Sequence, residues 1–162
     1  MQPLRKFPMF RRLFRIRSTP KATIKWSKNI PVNKLNAVLS EKTEYLYCFI
    51  QKRNFLLFST YKLLYIGMAY KQTIEQRLKT HHKLPMVVYK KKFGTSIVLR
   101  FGTVTARNAK MSEAFIKAIE GILIFVHKPP YNSSERSTFR NKEVIITNRG
   151  SYRPMKRKIS LR

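Results

Sequence analysis

"EYLYCFI" (44–50), followed closely by "FLLFSTYKLLYIG" (55–67), is the stretch on which the fold turns. Side chains alternate across a strand, so Tyr45, Tyr47 and Phe49 share one face and Leu46, Cys48 and Ile50 the other. Both sets are apolar or aromatic, which predicts a strand buried on both sides. "QKRN" (51–54) reads as a turn, and the second run reads as a strand, interrupted within its length and ending at Gly67. Two strands this close in sequence predict an antiparallel hairpin.

Beyond the hairpin, "TIEQ" (73–76) has the spacing of a capping box, in which Thr73 and Gln76 satisfy each other's backbone at a helix start. Ile74 and Leu78 form its apolar stripe, and Pro85 ends the segment. Arg77 and His81 are four apart, so they share a face of that helix. "TSIVLRFGTV" (95–104) predicts a third strand. "KMSEAFIKAIEGILIFVH" (110–127) predicts the longest helix, with Phe115, Ile119, Ile122 and Val126 facing the core. Glu120 falls at the margin of that apolar arc, where a carboxylate is costly unless it is paired or bound to a metal. "KPPYN" (128–132) stops the helix, and "NKEVIITN" (141–148) reads as a late strand or an extended flap. Phe55, Phe58 and Tyr61 suit core packing better than stacking on bases.

The 162 residues carry 35 Lys and Arg against 7 acidic residues, all of them Glu, for a net charge of +28. A chain so charged repels itself, which points to a polyanionic partner, with nucleic acid ahead of anionic membrane or an acidic protein. Any active site built from several converging carboxylates must draw on these seven. A single cysteine, Cys48, excludes an intrachain disulfide and the usual Cys-rich zinc site. His81, His82 and His127 lack metalloprotease spacing, and no apolar run reaches the roughly 20 residues of a membrane span. We expect an intracellular protein, of the cytoplasm or nucleoid, with the mitochondrion as the alternative.

Three regions are expected: a basic arm and linker (1–43), a compact domain (44–132), and an extended segment with a basic tail (133–162). "LRKFPMFRRLFRIRSTPK" (4–21) is read as an arm laid along phosphates through Arg11, Arg12, Arg15 and Arg17. A mitochondrial presequence and an interfacial membrane segment are its competitors. "STPKATIKWSKNIPVNK" (18–34) reads as linker. Lys79 and Lys83 add further cations for nucleic acid beside the Arg77 helix.

Taken in order, "YLY" (45–47), "YIG" (65–67), "RLKTHH" (77–82) and "EGILIFVHKPPYN" (120–132) resemble the motifs of the GIY-YIG nuclease superfamily. The resemblance spans about residues 44 to 132. Tyr45 stands where the first motif usually has glycine, which leaves the Tyr47 hydroxyl unchanged. The resemblance implies an α+β fold, a small, mainly antiparallel and centrally three-stranded β-sheet flanked by helices. It also implies metal-dependent hydrolysis of phosphodiester bonds in DNA. Glu120 would be the metal ligand for a divalent ion, most naturally Mg²⁺. Arg77 would grip the scissile phosphate, and Tyr47, Tyr65 and His81 would orient the attacking water or take its proton. Asn132 would fix backbone near the site. The alternative is a catalytically silent domain of this kind, serving as an RNA-binding subunit of a ribonucleoprotein such as a ribosome.

Overall fold

The computed structural model describes residues 18–31, 45–79, 94–133 and 143–161. Its strands are β1 (Lys21–Trp26), β2 (Ile30–Pro31), β3 (Tyr45–Asn54), β4 (Ser59–Ala69), β5 (Thr95–Arg107), β6 (Ile145–Gly150) and β7 (Lys158–Ser160). The helices are α1 (Ile74–Lys79) and α2 (Glu113–His127).

All seven strands join one sheet, in the order β4-β3-β5-β1-β6-β7 with β2 also on β5. Every pairing is antiparallel except β1 with β6. This corrects the expected fold class. The described residues are mostly strand, in a curled, mixed, half-barrel sheet, and not in a small three-stranded antiparallel sheet flanked by helices. The correction begins in the supposed linker. Ala22, Ile24 and Trp26 alternate with polar residues and are buried, so "KATIKW" becomes an interior strand between β5 and β6. Strand periodicity outweighs the local density of lysine there, because lysines on the open face cost little. At the other end the supposed basic tail carries β7 and buries Met155 and Ile159.

Asn148 ties the late strands into the sheet. Its side chain accepts from Trp26 Nε1 at 2.9 Å and donates to the Lys156 carbonyl at 2.7 Å. Gly150 follows at φ 70°, and a Cβ there would come within 2.4 Å of the Trp26 carbonyl oxygen, so only glycine fits.

The predicted hairpin is shifted at its tip. β3 runs on through "QKRN", and the chain reverses at Phe55–Phe58, where the Phe55 N–H donates to the Phe58 carbonyl at 2.7 Å. Phe55 and Phe58 stack on each other with centroids 4.8 Å apart, exposed with Leu56 and Leu57 rather than packed in the core. The interruption expected in β4 is a β-bulge. Phe49 pairs with Tyr65 and Ile50 with Leu63, leaving Leu64 as the extra residue.

One face of the sheet packs against α2, whose Ile116, Ile119, Ile122 and Leu123 are fully buried. Burial of each is worth roughly 1.5–3 kcal/mol. Ser112 caps the start of α2 by accepting from the Phe115 N–H at 3.2 Å. Lys128 ends it in the left-handed conformation, donating to the Ile124 carbonyl. Cys48 lies on this face, and burial pushes its thiol up to about 12, so it is not a reactive cysteine. The opposite face holds Tyr47, Phe49, Tyr65, Ala69, Leu78, Leu99 and Phe101.

Candidate functional site

β3 and β4 lie side by side, so Tyr47 and Tyr65 project from the same face with ring centroids 6.1 Å apart. Phe49 meets both rings, edge-on to Tyr47 at 6.0 Å and tilted to Tyr65 at 6.1 Å. Such pairs fix ring orientation as well as burying area. Tyr47 is 0% exposed, and its hydroxyl oxygen is buried.

Gly67 makes the room for this packing. A Cβ there would lie 2.5 Å from Tyr47 Cζ, 2.6 Å from its hydroxyl oxygen and 2.8 Å from Tyr65 Cε1. The glycine of "YIG" is therefore required by the neighbouring rings. Gly67→Ala is expected to displace both tyrosines and to cost about 1–3 kcal/mol of stability. Urea denaturation measures the loss, and an unchanged midpoint would show that the rings move aside freely.

The capping box places Arg77. The Thr73 N–H donates to Gln76 Oε1 at 3.0 Å, and the Gln76 N–H donates to Thr73 Oγ1 at 3.1 Å. α1 then presents half-buried Arg77 next to Tyr47, while Leu78 anchors the helix in the tyrosine-bearing face. Burial raises the Tyr47 phenol well above its ordinary range, and Tyr65 adds to the rise. The positive charge of Arg77 opposes it, and the charge of Glu120 makes the smallest contribution to the rise. Tyr65 is raised first by burial and then by the charge of Glu120, against Tyr47 and Arg77. Four elements thus bring Arg77 and Glu120 each within electrostatic reach of Tyr47 and Tyr65. Both phenols stay protonated at neutral pH, so each is suited to donate or hold a hydrogen bond and not to serve as the base.

Asn132 lies just beyond α2 and is buried. It accepts from the Ile66 N–H at 3.0 Å and donates to the Ile66 carbonyl at 2.8 Å. The Tyr131 N–H donates to the carbonyl of the bulged Leu64 at 3.0 Å. β4 is an edge strand, and these three bonds cover its outer edge next to Tyr65. Asn132 is thus a positioning residue for the second tyrosine.

His81, Lys83, Arg11, Arg12, Arg15 and Arg17 lie outside the described residues, and Lys79 closes α1. Among the described residues no group of three or more His, Cys and Glu gathers as a metal cage. A divalent ion that keeps most of its waters needs one carboxylate at the least, and Glu120 is the carboxylate of this cluster that could hold it. No described helix is long and apolar enough to cross a membrane.

His127 ends α2. Burial, with Lys156 adding to it, holds its imidazole down to about 4. The unfolded chain takes up that proton near 6.5 and the native chain only near 4, so stability is full above pH 6.5 and declines as pH falls toward 4. The drop in Tm over that window is expected to be smaller in His127→Gln than in the wild type. Parallel melting curves from pH 7 to 4 check this.

Compared with protein-family models, with curated proteins and with solved structures, the chain matches none of them.

Proposed function

We propose that the protein is a divalent-metal-dependent endonuclease that hydrolyses phosphodiester bonds in DNA at the Tyr65–Arg77–Glu120 cluster. The observation that carries the reading is a pair of phenols 6.1 Å apart on β3 and β4, on both of which a guanidinium from α1 and a carboxylate from α2 act electrostatically. With only 7 carboxylates in 162 residues, one whose charge acts on both tyrosines is chemically distinctive. The order of these residues is also the order of the GIY-YIG motifs they resemble.

Glu120 would hold the metal ion, which when bound neutralises phosphate charge and acidifies water. Arg77 donates to non-bridging phosphate oxygens, where negative charge grows in the transition state. Tyr65, 9% exposed against 0% for Tyr47, donates a phenolic hydrogen bond to the phosphate or orients the attacking water. Tyr47 is fully buried, so it acts through Arg77, fixing the guanidinium and keeping water from behind it. The net charge of +28 supplies the sequence-independent attraction to the DNA backbone.

The test is removal of the metal. The purified full chain is expected to nick or linearise supercoiled plasmid in Mg²⁺ and to stop when a chelator is added. A protein that binds DNA or RNA tightly and cuts neither in Mg²⁺ would overturn the proposal in favour of a purely binding role.

A further inference from the structure

β5 contains an arginine where its pattern calls for an apolar residue. Ile97, Val98, Leu99 and Phe101 are buried, and so is Arg100 between them, only 4% exposed. Tyr47 pairs with Phe101 and Cys48 with Arg100, so Arg100 lies on the face of the sheet opposite the tyrosine cluster. Its Nε donates to Asn29 Oδ1 at 2.6 Å, and its Nη1 donates to the carbonyls of Ser151 and Arg153. The guanidinium carbon lies 5.4 Å from the Tyr61 ring centroid. These contacts fix the group, and Nη2 is used in none of its hydrogen bonds among the described residues. The acceptors are all uncharged. A buried cation without a counter-ion is costly, and desolvation already pulls the Arg100 pKa down.

Arg100 lines a cleft of about 470 Å³. Lys28 and Arg153, both exposed, add positive charge to its walls, Tyr61 and Tyr152 add aromatic surface, and no carboxylate among the described residues lines it. The volume falls within the roughly 300–1,000 Å³ of small-ligand sites and is far more than a bare phosphate fills. We propose that this cleft binds a phosphate-bearing ligand of nucleotide size, with its phosphate on Arg100, Lys28 and Arg153 and its base against Tyr61 and Tyr152. The ligand supplies a counter-ion for Arg100 where the described residues provide none. It is either a free nucleotide or one nucleotide unit of a longer strand, and the site is separate from the nuclease cluster.

Calorimetric titration of the full chain with a nucleoside monophosphate, with inorganic phosphate and with a short single-stranded oligonucleotide tests this. One mononucleotide is expected to bind per chain, at least about tenfold tighter than inorganic phosphate. Lys28→Ala and Arg153→Ala, both surface changes, are each expected to weaken it about tenfold. Lys117→Ala, which removes the same charge from exposed α2 surface, should leave it unchanged. Arg100→Gln should abolish binding. Should that variant fold poorly, the Lys28 and Arg153 variants still decide. Glu120→Ala should bind the nucleotide normally, which separates this site from the proposed active site. Binding of the oligonucleotide alone, weakened by the same two substitutions, would assign the cleft to a strand. Equal affinity for inorganic phosphate, or binding indifferent to Lys28 and Arg153, would overturn the proposal.

Discussion

Supercoiled plasmid incubated with the Glu120→Ala protein and Mg²⁺ is expected to stay intact, with cleavage reduced at least about 10²-fold. Loss of outer partners of a metal site alone costs about 10–100-fold, and loss of the ligand itself should cost no less. Folding should survive the change. Glu120 is half-buried on α2, alanine is the best helix former, and the buried neighbours Ile116, Ile119 and Leu123 stay in place. Glu120→Gln keeps the shape and removes the charge, so it should be equally inactive. A second readout is independent of cleavage. The Glu120 charge raises the Tyr65 phenol, so removing it should bring Tyr65 ionisation to lower pH in an ultraviolet titration. A Glu120→Ala protein that cuts as fast as the wild type would remove the reason for calling this cluster an active site.

Asn132→Ala is expected to have the largest effect on stability, about 2–6 kcal/mol. The side chain is 5% exposed and serves both the N–H and the carbonyl of Ile66. Alanine leaves two buried backbone groups without partners, each costing about 1–3 kcal/mol. It also opens the outer edge of β4 beside Tyr65, so activity should fall in whatever fraction remains folded. Asn132→Asp provides a sharper comparison. A carboxylate still accepts from the Ile66 N–H, but its second oxygen would face the Ile66 carbonyl, and the repulsion should make this variant no better than alanine at neutral pH. Urea denaturation of the three proteins measures the difference. A loss within about 0.5 kcal/mol, typical of surface changes, would mean that the edge is held by other contacts.

Much of the site was legible in the residues because its parts are local. The period of two in "EYLYCFI" predicts a strand buried on both sides, and residues 46–50 are all buried. The spacing of Thr73 and Gln76 predicts a cap that the hydrogen bonds complete. Arg77 then falls on a helix whose start is set, and Glu120 falls at the edge of an apolar arc. The reason Gly67 must be glycine was not legible, because it depends on rings packed from the neighbouring strand as well as its own.

Sequence alone determined the elements whose hydrogen bonds close within a few residues: α1 with its cap, α2, and the adjacent strands of the hairpin. Tertiary structure decided where β1, β6 and β7 belong, which turned an expected small sheet into a curled seven-stranded one. It also decided that Arg100 sits inside a strand, held by Asn29 and by carbonyls some fifty residues away. The physical reason is the same in both cases. A strand's backbone bonds, and a buried cation's acceptors, come from distant parts of the chain. Local pattern shows that such partners are needed, and only the folded sheet says which residues provide them.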